Sequence, residues 1–415
     1  MLIAISLIMI RLIRFSDIER WKNIGRWVLV YGRRKTGKSF FIRNFIDYDS
    51  YFFVSRNREI FIDYEKLSYE AFVREVFRLL SESKVVVIDE IQRLPQEFFD
   101  RLHNFGVKGN LIAVSSTIWI AKSLLGERSP LLGLFSEFNF QLIDEADILR
   151  NLIQIIDDPR KLVEYAVFLR EPWLVPLFEK AADFMSALAS NIRFSIPALV
   201  GEIFLEEDRT FTSVYEGILK AVANGKRVST EITNTLFSLK LIPMQNPSLV
   251  HPYLKILTQI GLLDKVKVYG KRKYYYYHTS PLTDLYYYAD SKYGISERDV
   301  PEDQMRKILE LKIPFYVEHF FAKLLARTFG LWREILVTRE FEVDIALTDF
   351  KRLKMVGEVK WKNYIDRREI NDIEDVLSKF NCKRMLIVPE EDVIEKFPEK
   401  VEVWDVHRII KELLL

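Results

Sequence analysis

The run Gly32-Arg33-Arg34-Lys35-Thr36-Gly37-Lys38-Ser39 decides the fold. Two glycines separated by four residues and followed by Lys-Ser form a Walker A pattern. Glycines let backbone N–H groups wrap around phosphate oxygens, and the N-terminus of the next helix adds its positive end. In that setting Lys38 reaches the β- and γ-phosphates and Ser39 offers its hydroxyl to Mg2+. The whole run is therefore expected to bind ATP with Mg2+. An apolar stretch at 27–31 reads as the strand before the loop, and 40–46 as the helix after it; a plain basic turn is the alternative.

Working outward, Val85-Val86-Val87-Ile88-Asp89-Glu90 is an apolar strand ending in two carboxylates. There Asp89 is expected to hold the Mg2+ shell and Glu90 to polarise the attacking water as the catalytic base, beside Lys38. The alternative is a solvated pair at a strand end. The next apolar run, 111–114, ends in Ser115-Ser116-Thr117, whose hydroxyls, Ser115 first, either sense the nucleotide or form an ordinary turn. Arg128 is a candidate arginine finger or simply an exposed arginine. Strands at 27–31, 51–54, 85–88, 111–114 and 138–143, separated by helical stretches at 40–46, 69–80 and 96–104, predict an α/β domain with a mostly parallel sheet over 15–145.

At 415 residues the chain is long enough for two to four domains. A hydrophobic share of 49% with 29% charged residues is that of an ordered globular chain. The 61 basic and 59 acidic side chains nearly cancel, so a nucleic-acid surface must come from local clustering. A single cysteine, Cys382, excludes an intramolecular disulfide framework and a thiolate zinc cluster, and fits a reducing cytoplasm. Residues 1–10 are apolar but too short for a membrane span, which needs about 20 residues. They lack signal-peptide flanks, so either Met9 is the true start or the segment adds an edge strand. Abundant Lys, Glu and Ile hint at a thermophile.

Helical periodicity over 146–208 predicts a helical lid. Helices at 215–223, 229–239 and 247–260 followed by strands at 263–268 and 273–278 give the order of a winged helix over 209–285. Its hairpin carries Lys265, Lys267, Lys271, Arg272 and Lys273 with no acid from Lys265 to Lys273, which suits phosphate contacts. The rings Tyr274 to Tyr277 alternate, so two are expected in the core and two outside, stacking on unpaired bases or packing on a neighbouring domain. The whole module reads as a duplex DNA binder or a protein-contact unit. His251, beside the third helix, either reports nucleotide state or caps a surface turn.

The last part, 300–415, predicts a helix interrupted near Pro314, three strands, a helix, a strand, and a final strand and helix. Asp344, Glu358 and Lys360 fall in a D-(x)n-E-x-K arrangement in which Glu358 and Lys360 share one strand face. Asp344 and Glu358 would hold a metal and Lys360 would activate water for attack on phosphorus, with Glu318 as an outer ligand. Solvated or inactive charges on the same fold are the alternative.

With these motifs in place, the chain resembles the archaeal P-loop ATPases on the AAA+/STAND border (MNS-type), in the branch with a C-terminal PD-(D/E)xK nuclease-like domain. The resemblance is carried by Tyr31-Gly32-Arg33-Arg34, Asp89-Glu90-Ile91-Gln92, Ser115-Ser116 and Ser129-Pro130-Leu131. It implies an ATP-driven switch with a winged helix. Two departures bear on hydrolysis and the lid: Leu134 stands where such proteins commonly carry arginine, and Leu169-Arg170-Glu171-Pro172 replaces a Gly-Gly-x-Pro lid motif.

The expectation is a cytoplasmic, Mg-ATP-hydrolysing switch protein that binds DNA through its winged helix and C-terminal domain, without membrane contact, with homo-oligomerisation left open. A signalling ATPase whose last two domains only bind partners, and an ATP-responsive, transcription-factor-like DNA binder, are the alternatives.

Overall fold

The computed structural model describes residues 10–117, 131, 133–207 and 209–414. Arg128 and Met9 lie outside them.

Seven strands form the first sheet: β1 (Trp27–Tyr31), β2 (Ser50–Val54), β3 (Ile60–Ile62), β4 (Glu65–Leu67), β5 (Val85–Asp89), β6 (Asn110–Ser115) and β7 (Ser136–Asn139). Their order is β4-β3-β2-β5-β6-β1-β7. β2, β5, β6, β1 and β7 are parallel, and at the other edge β3 runs antiparallel to both β2 and β4. The central strands are apolar at successive positions because both faces are covered. Phe72, Val76, Phe98 and Leu102, from helices Tyr69–Ser81 and Gln96–Phe105, pack on one face. Phe41 and Ile42, from helix Lys38–Phe45, pack on the other.

Two strand expectations are corrected here. The fifth strand is Ser136–Asn139 rather than 138–143, because after Asn139 the chain leaves the sheet toward the helix Glu145–Leu152. The antiparallel β3–β4 hairpin was not foreseen; two strands of three residues leave too short a pattern to read.

Helices Glu145–Leu152, Pro159–Leu169, Val175–Lys180 and Phe184–Glu206 follow. Asp144, Asp158 and Asp183 cap the first, second and fourth, accepting bonds from otherwise unpaired N–H groups. Helix Phe184–Glu206 is long and apolar enough by length and composition to cross a membrane. Ten of its residues are buried in the core, and its last turn reaches the P-loop.

Helices Ser213–Ala223, Ser229–Ser238 and His251–Gln259 lead into a hairpin of β8 (Leu263–Lys267) and β9 (Tyr274–His278). A further helix, Pro281–Tyr293, packs against Ser213–Ala223. Helix Glu302–Thr328 is continuous, contrary to the expected break at Pro314. The carbonyl that Pro314 leaves without its helical donor belongs to Glu310, which is exposed and within reach of water. The second sheet, β10 (Trp332–Val337), β11 (Glu342–Asp349), β12 (Arg352–Val359), β13 (Lys383–Ile387) and β14 (Glu402–Trp404), runs in that order. Its first three strands are antiparallel and its last three parallel. Helix Arg367–Leu377 covers one face through Ile370, Ile373 and Leu377. On the other face Ile345, Leu347, Met385 and Ile387 share a continuous core with the helix Glu302–Thr328 and the helices from Glu145 onward.

Candidate functional site

β1 delivers the chain into the P-loop. A Cβ on Gly32 would stand 2.1 Å from the Phe140 carbonyl oxygen, so only glycine passes there. Gly37 has φ +93, a left-handed turn from which helix Lys38–Phe45 starts. Lys35 is also left-handed at φ 66. Lys38 is buried, and its Nζ donates to the carbonyls of Gly32 (2.8 Å) and Arg33 (2.9 Å). Burial pushes its ammonium down to about 8, against the pull of Glu90 and Asp89. Thr36 Oγ1 donates back to the Arg33 carbonyl, and Ser39 is the second residue of the helix.

β6 lies between β1 and β5, which places the ends of all three strands side by side. Asp89 is buried and accepts from the Tyr51 hydroxyl and the Glu90 N–H. Glu90 sits at φ 61, outside the regions where a glutamate is at ease. Its carboxylate accepts from Ser116 Oγ (2.8 Å) and from Gln92 Nε2, with Arg93 at 3.4 Å. The hydroxyl that reaches Glu90 is thus that of Ser116. Ser115 is buried, and its hydroxyl bonds Thr117.

Residues far along the chain complete this site. Glu206, at the end of its long helix, accepts from Ser116 Oγ (3.0 Å) and pairs with Arg34 (2.9 Å) and Arg93 (3.1 Å). Burial pushes its carboxyl up, and Arg93, Ser116 and Arg34 more than offset that, leaving it below the usual range. Glu202 pairs with Arg34 Nε at 2.7 Å. Arg33 Nη2 donates to both Glu171 oxygens at 2.6 Å, and both side chains are buried. Glu171 lies in the segment where a lid motif departed from its expected form, and Pro172 after it packs 3.3 Å from the Cβ position of Gly37. Turned backbone N–H groups, a buried lysine, a hydroxyl in the first helical turn and a buried aspartate fit a triphosphate with Mg2+.

A second cluster lies on the C-terminal sheet. Lys360 Nζ donates to Glu358 Oε2 (2.7 Å), and Asp344 Oδ2 accepts from the Val359 N–H (2.9 Å). Burial, then Asp344, pushes the Glu358 carboxyl up to about 7 and that of Glu318 up to about 8. Lys360 touches Glu358, Asp344 bonds the backbone between them at Val359, and Glu318 and Asp344 border one cavity, so the four groups lie together. Among the described residues no group of three or more His, Cys, Asp or Glu stands close enough to hold a metal ion. Asp344 and Glu358 therefore remain a pair of carboxylates, with Glu318 on the same cavity as Asp344.

The β8–β9 hairpin lies edge-on to β10. Tyr269 N–H donates to the Ile335 carbonyl (2.8 Å), Lys267 pairs with Glu334 (2.9 Å), and Lys271 Nζ reaches the Val337 carbonyl (3.3 Å). Arg272 and Lys273 stay exposed. Tyr276 and Tyr277 are both buried, Tyr275 is half-buried and Tyr274 exposed, so the expected two-in, two-out alternation fails. The C-terminal region covers the face that an isolated hairpin would leave open. His251 is exposed at the first position of its helix.

Residues 25–130 match the family model described as AAA domain. No curated protein matches the chain. Among solved structures, the Walker-type ATPase PABY2304 of Pyrococcus abyssi is similar at 18% identity with a TM-score of 0.51, over 67% of this chain and 96% of that one. The ORC1 protein of Aeropyrum pernix in complex with DNA is matched at 14% identity with a TM-score of 0.32, over 71% and 97% of the two chains. At that score the second likeness bears no functional weight. Residues 25–130 thus match an AAA domain, set in a chain whose fold is similar to that of a Walker-type ATPase.

Proposed function

We propose that the protein is a Mg-ATP-hydrolysing switch that acts on DNA. The observation that carries this is the single hydrogen-bonded network in which Ser116 bridges Glu90, from the sheet, to Glu206, from the helical region. A group that rearranges at the nucleotide site must also change how the two parts of the chain hold each other. Lys38 and the loop N–H groups bind the phosphates, and Ser39 and Asp89 hold the magnesium shell. Glu90 takes the proton of the attacking water once it leaves Ser116 and Gln92. Arg34 and Arg93 exchange Glu206 for the terminal phosphate, which frees the end of helix Phe184–Glu206.

On this reading the segment 209–285 is a winged helix whose exposed Arg272 and Lys273 meet the DNA backbone, and 300–415 is a nuclease-like domain. There Asp344 and Glu358 would hold a divalent metal, and Lys360 would steady the attacking hydroxide. The docking of Lys267 and Lys271 on β10 favours a second reading, in which the hairpin serves contacts within the protein or with partners, as in a signalling ATPase. The test is ATP hydrolysis and strand cleavage with a panel of DNA forms. Lys38→Ala should lose nucleotide binding, and Glu90→Gln should bind but not turn over. Asp344→Ala should lose metal-dependent cleavage alone. Hydrolysis by Glu90→Gln at the wild-type rate, or no response of ATP turnover to any DNA, refutes the corresponding part.

A further inference from the structure

Between the β8–β9 hairpin, the helix Glu302–Thr328 and strands β10 and β11 lies a cavity of about 370 Å3, apart from the P-loop. Arg227, Arg333, Tyr275 and His319 line it, and Glu318 and Asp344 reach it from the carboxylate cluster. The Arg227 guanidinium rests 4.4 Å from the Tyr277 and Phe315 rings, and that of Arg333 lies 5.5 Å from Tyr277. Among the described residues neither guanidinium has an ion pair or a side-chain hydrogen bond, and Arg333 Nε is buried without a partner. Both ring nitrogens of His319 are likewise unpartnered, while its ring is fixed between Phe315 (4.2 Å) and Tyr277 (4.4 Å). Glu231 and Glu342 also border the cavity, and Glu231 is engaged by the Arg227 backbone N–H at 3.0 Å.

Cations held beside one another without a carboxylate in contact are costly unless an anion joins them. Two guanidiniums suit a phosphodiester, whose oxygens accept the planar N–H fork. The space is of the size that holds a small ligand, about 300–1,000 Å3. It equals a cube about 7 Å on a side, whereas the major groove alone of a duplex is about 12 Å wide. A duplex cannot enter it. A half-buried ring, Tyr275, offers the stacking surface on which an unpaired base rests.

We propose that this cavity takes one nucleotide of an unpaired DNA or RNA strand, its phosphate held by Arg227 and Arg333 and its base against Tyr275, and leads the strand to Asp344. The inference rests on reading Asp344, Glu358 and Lys360 as a phosphodiester-cleaving centre, and it adds the class of substrate: single strands, tails and flaps rather than blunt duplex.

The deciding measurement is fluorescence anisotropy of the full chain with labelled oligothymidylate, oligouridylate and a blunt duplex, in EDTA so that no cleavage occurs, as a function of salt. The wild type should prefer a single strand, and comparing oligothymidylate with oligouridylate tells DNA from RNA. Arg227→Ala/Arg333→Ala should flatten the log-log salt dependence by roughly 0.7 per lost single-strand phosphate contact. Tyr275→Ala should weaken binding roughly 5- to 150-fold and leave the salt slope unchanged. ATP turnover of each variant reports folding, and if the double variant fails that check the Tyr275 variant decides. No single-strand binding by the wild type, or unchanged affinity in Tyr275→Ala, overturns the pocket. Absence of cleavage with Mg2+ or Mn2+, alongside pocket-dependent binding, refutes instead the cleavage centre and leaves the binding site standing.

Discussion

Replacing Glu171 by Gln tests the joint between the P-loop and the helical region. Arg33 Nη2 stands 2.6 Å from both carboxylate oxygens, and the two side chains are only 4% and 1% exposed. At that separation and an effective dielectric of 20 the attraction is about 6 kcal/mol. Desolvating each ion costs several kcal/mol, so the pair as a whole contributes little net stability. Losing one partner is another matter. Glu171→Gln keeps the shape but leaves a buried guanidinium whose Nη1 already lacks a partner. The expected loss is about 3–5 kcal/mol, whereas Arg33→Met/Glu171→Leu should lie within about 1 kcal/mol of wild type or above it. Urea unfolding followed by tryptophan fluorescence reads this, since Trp173 donates to Glu171 at 3.0 Å. The first transition of wild type, Arg33→Met, Glu171→Leu and the double variant closes a double-mutant cycle. A loss under about 1 kcal/mol for Glu171→Gln, or a double variant as damaged as the sum of the singles, would falsify the account of a buried, mutually dependent pair.

Three further outcomes follow from the same geometry. Glu206→Gln removes the carboxylate that occupies Arg34 and Arg93 while leaving them Glu202 and Glu90. With two partly exposed pairs of about 0.5–1 kcal/mol each no longer to be broken, ATP should bind roughly 5- to 30-fold more tightly by calorimetry; unchanged or weaker binding makes Glu206 part of the pocket instead. Neutralising Arg272 and Lys273 should flatten the salt dependence of duplex DNA binding by about one log-log unit per lost phosphate contact, and an unchanged slope assigns the hairpin tip to another partner. His278 is held between Thr283 (3.1 Å) and the Leu219 carbonyl (3.0 Å), and burial pushes its pKa below the ordinary value against the pull of Asp284. The unfolded chain then binds the extra proton below about pH 6.5, so stability present at neutral pH falls as pH drops through that value. His278→Gln should lose that part of the pH dependence in thermal melts, and a melting profile as steep as wild type between neutral pH and pH 5 contradicts it.

Much of the first sheet was legible because a buried parallel strand must be apolar on both faces, and Val85 to Ile88 is. The P-loop and the Asp89-Glu90 pair are local patterns, fixed by residues within a few positions of one another. Asp344, Glu358 and Lys360 could be paired from strand alternation, and the structure brings them together, though not as a three-ligand metal cluster. Which hydroxyl of Ser115 and Ser116 meets Glu90 was less legible, because neighbouring side chains at a strand end face opposite ways and a one-residue shift exchanges them; in the structure it is Ser116.

The sequence by itself determined a phosphate-binding loop, its strand and helix, and a carboxylate pair one strand away. Only the tertiary structure decided that Glu171, Glu202 and Glu206 close on the P-loop arginines, and that Arg227 and Arg333 meet across one cavity. Those partners are separated by more than a hundred residues, as with the 138 between Arg33 and Glu171. Which distant charge meets which arginine depends on how apolar faces stack the helices onto the sheets, and a chain read residue by residue carries no record of that.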